Sequence, residues 1–340
     1  MKIQVNSNNK VYLTSSTKAL KAKEKCGMNI SDFIGNIDVS GALQQPAGTI
    51  DADFAGVENL GNYALEYRFT GSKNIPVVSF PELAAVSGQY ALSYTFSNNK
   101  NITTASFPAL TAINAQYAFN YTFQNASNLQ SVSFPELVSV TGSNAFYYVF
   151  YGCSSLKSIS FPKLTTVNGN NAMNNTFYNT SASGLQSVSF PELTTVSGNS
   201  AMSNCFGYNG GFTSISWPKL ATLNGDSVLS GCFNSDSTLQ TVAFPMLSSL
   251  TGKTVFNGAF SACSALSDIY FNALTTSSFG VTNTDQFKTM FNSGSMSTSG
   301  NCTIHFPSNL SSTIQGLQGY PNFGATAGRV TLAFDLTATS

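Results

Sequence analysis

The sequence is poor in charge. Only 9% of its 340 residues are Asp, Glu, Lys or Arg, against roughly 25% in an ordinary soluble domain. The 15 acidic residues balance the 15 basic ones, so no net field attracts nucleic acid or an anionic membrane. No stretch approaches the ~18 consecutive apolar residues of a membrane span. We therefore expect neither nucleic-acid binding nor membrane insertion.

Groups that carry catalysis are also scarce. The chain has a single histidine, His305, and no nucleophile or orienting residue near it in sequence suggests a catalytic triad. The carboxylates are not clustered for acid–base work, no glycine-rich phosphate loop is present, and the six cysteines include no C-x-x-C pair. We expect a protein that is not an enzyme and that needs no cofactor and no metal.

What the chain does contain is repetition. An aromatic residue followed by proline recurs in steps of 27 residues, with one step of 29. The pairs are Phe80-Pro81, Phe107-Pro108, Phe134-Pro135, Phe161-Pro162, Phe190-Pro191, Trp217-Pro218 and Phe244-Pro245. Phe271 continues the series, and residues 51–79 fit a degenerate first copy. Such a fixed period predicts a solenoid of stacked repeats, because one repeat buries its apolar face only against its neighbours.

Each copy has the same internal pattern, illustrated by residues 156–185. The run L-x-x-I-x-F predicts a short strand, which the following proline ends because it has no N–H for the ladder. Leu164 and Val167 are then expected to face inward from an irregular segment. Gly169 permits a bend, and Asn170 is placed to cap a short helix. The expected inward side of that helix consists of Ala172, Met173, Thr176 and Phe177.

The longer pattern L-x-x-I-x-F-P-x-L-x-x-V-x-G-x-x-A-F resembles the BspA-like leucine-rich repeats, which bacteria and some protists use as surface adhesins. Within it, Leu185-x-x-Val188-x-Phe190 matches the L-x-x-L-x-L core of leucine-rich repeats. The resemblance implies an α/β repeat solenoid with a parallel sheet on the concave side and one short helix per ~27-residue repeat on the convex side. Two departures stand out: Leu193 replaces the usual Asn, and the unit is longer on its helical side.

Three domains follow from where the repeats start and stop. Residues 1–50 are a predicted N-terminal cap that begins with a hairpin of Ile3–Val5 and Val11–Leu13, residues 51–291 are the solenoid, and residues 292–340 are a C-terminal cap. Terminal caps cover the apolar ends of a solenoid. The elements predicted for the C-terminal cap are a strand at Cys302–Pro307, a short helix from Ser308 to about Leu317, and a closing strand from Arg329 to Leu336.

The candidate binding residues are a set of tyrosines on the predicted helical side. We call them the tyrosine stripe, and they form two columns: Tyr63, Tyr90 and Tyr117 in the first, and Tyr67, Tyr94, Tyr121 and Tyr148 in the second. Helical spacing places both columns away from the core, and exposed tyrosine suits binding because one ring offers apolar area and a hydroxyl. Lateral packing of each ring on the next is the alternative explanation.

A second candidate lies on the predicted sheet. One outward column is a ladder of small hydroxyls, which we call the hydroxyl ladder: Thr104, Ser131, Ser158, Ser187, Ser214 and Thr241. It is either a binding surface or a means of keeping a parallel sheet soluble without bulky charge.

Two further columns predict contacts between neighbouring repeats. The residues after the prolines alternate in charge through Glu136, Lys163, Glu192 and Lys219, so opposite charges should pair across repeats. Cys205 and Cys232 share one slot in adjacent repeats and should lie close together, either as buried thiols or as a disulfide.

From these features we expect a non-enzymatic adhesion protein that recognises a protein or glycan on the surface of another cell. Its setting is either a bacterial cell surface or a phage tail, where it would serve in receptor binding. The first residues show no signal peptide, so an extracellular, cell-surface or virion-associated location leaves the export route open. The alternative function is a structural spacer whose surface binds nothing.

Overall fold

The fold was determined as a computed structural model. It describes residues 2–5, 10–14, 51–54, 56–71, 75–180, 185–279, 285–291, 301–325 and 327–337; for residues 2–5, 10–14 and 51–53 only the backbone is described. The predicted domain boundaries at residues 50 and 292 lie at the edges of segments outside these ranges, so they remain predictions.

The chain winds into stacked coils, and each coil contributes one short strand to a first parallel sheet. The hairpin β1 (Lys2–Val5) and β2 (Lys10–Thr14) is antiparallel, as the sequence predicts. Strand β2 pairs in parallel with β3 (Asp51–Asp53), the first strand that the coils contribute. The strands are β3 (Asp51–Asp53), β5 (Val77–Ser79), β7 (Thr104–Ser106), β9 (Ser131–Ser133), β11 (Ser158–Ser160), β13 (Ser187–Ser189), β15 (Ser214–Ser216), β17 (Thr241–Phe244) and β19 (Asp268–Phe271). Hydrogen bonding divides this sheet into three sections, with breaks after β9 and after β13.

A second parallel sheet follows the turn that each Phe-Pro pair makes. Its strands are β4 (Asn59–Leu60), β6 (Ala85–Val86), β8 (Ala112–Ile113), β10 (Ser139–Val140), β12 (Thr166–Asn168), β14 (Thr195–Ser197), β16 (Thr222–Asn224) and β18 (Ser249–Leu250). It runs unbroken from β4 to β18. The segment containing Val167 was predicted to be irregular, and that prediction was wrong, since Val167 pairs in register with Val140 and Val196. Each coil therefore has two strands instead of one.

The predicted helix in each repeat is also wrong. In its place lies a run of tight turns that we call the turn arc, at residues 61–71, 88–98, 115–125, 142–152, 169–179, 198–208, 225–235 and 252–262. Alternate amides donate to the next coil, as Leu92 N does to Ala118 O at 2.8 Å, while those between them donate three residues back, as Ser93 N does to Tyr90 O at 3.1 Å. An α-helix requires donation to the carbonyl four residues back. Asn170, the predicted helix cap, accepts instead from Asn199 N of the next coil at 3.0 Å.

Every fourth residue of a turn arc has a left-handed backbone. The φ angles at these positions are positive in all eight arcs, for instance 55° at Tyr90, 53° at Tyr94 and 58° at Asn98. We call the three sets of equivalent positions the first, second and third left-handed columns. Glycine suits this conformation because it has no Cβ to clash with the backbone, and asparagine suits it because its short polar side chain can hydrogen-bond locally.

The core consists of columns of side chains that repeat from coil to coil. One column is Phe80, Phe107, Phe134, Phe161, Phe190, Trp217, Phe244 and Phe271, and another is Phe96, Phe123, Phe150, Phe177, Phe206, Phe233 and Phe260; all are buried. Rings of adjacent coils stack, with centroids 5.0 Å apart for Phe107 and Phe134. These ladders follow from the register of the two sheets, which places equivalent residues of neighbouring coils above one another.

At the C-terminal end the predicted strands are confirmed. β20 (Cys302–Pro307) pairs in parallel with β19, and β21 (Val330–Leu336) pairs in parallel with β20. The helical segment predicted from Ser308 begins with a 3-10 turn at Ser308–Leu310, and the α-helix α1 spans Ser311–Gln315 without a side-chain cap from Ser308. Among the residues that the structure describes, no helix has the length and apolarity that a membrane crossing demands.

Candidate functional site

The tyrosine stripe occupies the first left-handed column in the first three turn arcs and the second left-handed column in the first four. Tyr63 and Tyr67 are 40% and 55% exposed, and the other five rings are half-buried. The sequence predicted that these rings lie outside the core, because of helical spacing. They do lie at the surface, but the reason is the turn arc, in which the two residues after each first-column position, such as Ala91 and Leu92, point inward and are fully buried.

Within each column the rings stack face to face. Ring centroids are 4.7 Å apart for Tyr90 and Tyr117, and 4.7 Å for Tyr94 and Tyr121, with interplanar angles of 10° and 12°. The stripe therefore presents ring edges and hydroxyls along its length, because neighbouring rings cover each other's faces. Lateral ring packing, the alternative explanation from the sequence, is present in the structure, and it leaves the binding hypothesis a prediction.

Four hydroxyls of the stripe have a raised pKa, which favours their neutral form. Burial, followed by repulsion from neighbouring tyrosines, raises the pKa of Tyr90, Tyr94 and Tyr121, and raises the pKa of Tyr148 to about 12. At neutral pH these groups are thus uncharged donors and acceptors of hydrogen bonds.

Further tyrosines outside the stripe, Tyr147, Tyr151 and Tyr178, extend this surface. Tyr147 contacts the rings of Tyr121 and Tyr148, with centroids 5.6 Å and 4.5 Å away. Tyr151 stacks on Tyr178 at 6.1 Å. The 27-residue spacing of Tyr151 and Tyr178 was the available signal for the second pair, whereas Tyr147 has no tyrosine in its own column and gave none.

The hydroxyl ladder is aligned as predicted across three pairs of strands: Thr104 with Ser131, Ser158 with Ser187, and Ser214 with Thr241. Its four serines are exposed and its two threonines are half-buried. The column is a regular row of small polar groups, and its role as a binding surface stays a prediction.

His305 is held by two carboxylates instead of facing solvent freely. Its Nδ1 lies 2.9 Å from Asp335 Oδ2 and its Nε2 lies 3.0 Å from Asp268 Oδ1, and its ring stacks on Tyr270 at 4.4 Å. Burial alone lowers the pKa of His305, but the hydrogen bonds to Asp268 and Asp335 outweigh it and the net shift is upward. An imidazole with both nitrogens hydrogen-bonded to carboxylates is a structural clamp, and it has no free nitrogen to act as a general base.

The cysteines and the charged column behave as contacts between coils. Cys205 and Cys232 are buried free thiols, and burial raises the pKa of each. Lys163 Nζ lies 2.6 Å from Glu136, and the equivalent pair Lys219 and Glu192 has the same distance. In the described part of the chain, no group of three or more His, Cys, Asp or Glu side chains is arranged to hold a metal ion.

Comparison with protein families identifies the repeats. The model of the BspA type leucine rich repeat region matches residues 56–149 and 148–314, with six copies. These ranges cover more than half of the chain. A comparison with curated proteins gave no match.

Two solved structures are similar to this chain. One is a leucine-rich repeat protein from Bacteroides ovatus ATCC 8483, with 16% identity and a TM-score of 0.36 over 87% of this chain and 75% of that one. The other is the pneumococcal vaccine antigen PcpA, with 12% identity and a TM-score of 0.30 over 86% of this chain and 79% of that one.

Proposed function

The chain belongs to the BspA-type leucine-rich repeat family, and from that premise we propose that it is a non-enzymatic binding protein whose tyrosine stripe contacts a protein or glycan on another surface. Members of this family often serve as surface adhesins. The proposed location is accordingly extracellular, on a bacterial cell surface or on a phage tail as a receptor-binding protein.

The observation that supports this role is the choice of residue at left-handed positions. A non-glycine residue in this conformation costs on the order of 1–3 kcal/mol, and the second column of the C-terminal coils contains Asn175, Asn204 and Gly231, the residue types that tolerate it best. The N-terminal coils carry tyrosine there four times in succession. Because the fold itself accepts Asn and Gly, the tyrosines supply something beyond the backbone, and their surface position favours contact with a ligand.

The test replaces tyrosine with asparagine, which the second left-handed column contains in later coils. Changing Tyr94 and Tyr121 together to Asn should leave the melting temperature nearly unchanged, since Asn tolerates the left-handed backbone. Binding of the labelled protein to a panel of bacterial and animal cells, measured by flow cytometry, should weaken at least tenfold, about 1.4 kcal/mol. Tyr208→Asn is the matched control, because Tyr208 is a left-handed and 47% exposed tyrosine outside the stripe.

Three outcomes separate the alternatives. If the folded double variant binds cells as the unmodified chain does, the stripe is not the contact and the hydroxyl ladder becomes the candidate. If the melting temperature collapses, the rings are structural. If the unmodified chain binds none of the cells, the structural spacer is favoured.

A further inference from the structure

A polar column runs between the two columns of the tyrosine stripe. Its members in successive coils are Glu66, Ser93, Asn120 and Tyr147. Ser93 is fully buried and Asn120 is 7% exposed, although each is flanked along the chain by surface tyrosines. Small polar side chains therefore lie beneath the level of the rings on either side.

The contacts of Tyr147 show where this column points. Its ring meets Tyr121 and Tyr148 of the second column edge to face, with interplanar angles of 81° and 79°. By the register of the coils, the shorter side chain of Asn120 occupies the same position one coil closer to Glu66 than Tyr147, and that of Ser93 two coils closer. We call this part of the stripe the tyrosine trough: Tyr90 and Tyr117 form one wall, Tyr94 and Tyr121 form the other, and the buried Ser93 and Asn120 form the floor.

The floor of the trough has unused hydrogen-bonding capacity. Ser93 Oγ and Asn120 Oδ1 are buried and have no hydrogen-bond partner, and a buried polar atom without a partner costs about 1–3 kcal/mol. The same column is satisfied in coils that lack the tyrosines, where Ser203 Oγ donates to Ser230 O at 2.8 Å and Ser230 Oγ donates to Asn257 O at 2.9 Å. Unpartnered atoms thus coincide with the tyrosine walls.

We propose that the tyrosine trough binds a single residue of a neutral glycan, whose hydroxyls enter between the walls and pair with Ser93 and Asn120. This inference rests on the proposed function, because it names the ligand class of the same stripe. Entry requires the wall rings to move apart, since Ser93 is fully buried in the unliganded protein.

The chemistry of the trough favours a sugar over a peptide. An extended peptide needs free backbone groups or apolar pockets, but Leu92 N and Tyr94 N already donate to the next coil at 2.8 and 2.9 Å. What remains is a set of hydroxyls, one amide and the edges of aromatic rings, which suit the alternating donors and acceptors of a polyol. Walls and floor contain no cation, so an acidic sugar has no counter-charge. The unpartnered floor atoms lie in two adjacent coils, which limits the site to one sugar residue.

The experiment titrates the whole chain with methyl glycosides of glucose, galactose, mannose, fucose and N-acetylglucosamine, observed by saturation-transfer NMR, with sialyllactose as the charged comparison. At least one neutral glycoside should bind and sialyllactose should bind less well. Ser93→Ala should weaken that binding at least fivefold while leaving the melting temperature unchanged or higher, because it removes an unpartnered hydroxyl. A purely structural serine would show the opposite pattern, with lower stability and unchanged binding.

Ser230→Ala is the matched control, because it alters the same column in a coil without tyrosines. It should leave glycoside binding intact and lower stability slightly. If none of the glycosides binds at tens of millimolar, or if Ser93→Ala binds as well as the unmodified chain, the glycan proposal is overturned. If the glycan proposal fails but cell binding still depends on Tyr94 and Tyr121, the proposed function stands and the stripe recognises a protein. When cell binding is independent of these tyrosines, it is the proposed function that fails.

Discussion

Phe150 shows how one residue is supported by the repeat. Its ring is fully buried and stacks between Phe123 and Phe177 of the adjacent coils, at 5.9 and 5.3 Å. The sequence predicted burial at this position of the repeat through the equivalent Phe177, and burial of both residues is confirmed even though the predicted helix is absent. The ring is held from above and below, so the coils have little freedom to close a cavity left by its removal.

Phe150→Ala should therefore lower the free energy of unfolding by about 3–5 kcal/mol, measured by urea denaturation. Val138→Ala is a suitable control, because Val138 is 41% exposed and should change stability by no more than about 0.5 kcal/mol. A loss below about 1 kcal/mol for Phe150→Ala with an unchanged fold would contradict the ladder as a source of stability.

Asp236 is a buried carboxyl that links stability to pH. Its Oδ1 accepts hydrogen bonds from Asn209 N at 2.8 Å and Gly210 N at 3.0 Å, while its Oδ2 has no partner. Burial raises the pKa of Asp236 from 3.8 to about 8, against the lowering effect of the two amides. The folded chain thus keeps a proton that the unfolded chain releases near pH 4.

Because the folded-state pKa is the higher one, the contribution of Asp236 to stability is complete below about pH 4 and falls as the pH rises towards 8, by up to about 1.4 kcal/mol per pH unit. Asp236→Asn mimics the protonated form and should remove this slope in denaturant titrations between pH 5 and pH 8. Asp226→Asn changes an exposed carboxylate and should leave the slope in place. An unchanged slope in Asp236→Asn would show that another group carries it.

The turn arc is the element that the glycines make possible. Gly225 opens one arc with a φ of +137°, and a Cβ there would lie 2.4 Å from Gly198 O of the preceding coil. Gly258 lies within the next arc with a φ of +62°, and its nearest neighbour would be Ser261 Oγ at 3.4 Å. The first glycine is required by the close approach of two backbones, whereas the second occupies a left-handed position that asparagine fills in other coils.

Gly225→Ala should consequently destabilise the fold by more than about 2 kcal/mol, because backbone atoms of two coils must separate. Gly258→Asn should leave the free energy of unfolding unchanged or slightly raise it. Equal effects of the two substitutions, measured by the same urea titrations, would argue against close coil contact at Gly225.

At the scale of the whole molecule, the last strands close the solenoid through the His305 clamp. His305 on β20 joins Asp268 on β19 to Asp335 on β21. Burial alone raises the pKa of Asp268, but hydrogen bonds from Ser267 and His305 outweigh it and the net shift is downward from 3.8. The upward shift of His305 starts from 6.5. The two groups therefore attract each other most between about pH 4 and pH 6.5.

The sign of the pH effect follows from the direction of each shift. The stabilisation from His305 is complete below about pH 6.5 and is lost as the pH rises through its raised folded-state pKa, and that from Asp268 is lost as the pH falls below about 3.8. Amide hydrogen exchange of β21, measured in the Asp236→Asn background, should be slower at pH 5.5 than at pH 8 after correction for the intrinsic rate. His305→Gln should abolish that difference. A difference that persists in His305→Gln would assign it to other groups.

The sequence predicts those features of this molecule that leave a repeating pattern of side chains along the chain. Side-chain burial repeats with the chain, so the 27-residue period, the buried column of Phe150 and the strands at Cys302–Pro307 and Val330–Leu336 were predictable. The tyrosine stripe was found for the same reason. The succession Tyr148, Asn175, Asn204 and Gly231 is also visible in the sequence, and in the structure these four residues share a left-handed backbone.

The sequence by itself determined the solenoid, its period, its family and which columns are buried. Only the tertiary structure decided between helix and turn arc and between one sheet and two. The reason lies in the spacing of the inward residues: Met173, Thr176 and Phe177 lie one, four and five residues after Ala172. Over so short a segment, this spacing fits a helix as well as it fits a series of four-residue turns. The choice depends on where each N–H finds its acceptor, and here the acceptors of alternate amides belong to the next coil, about 27 residues away along the chain.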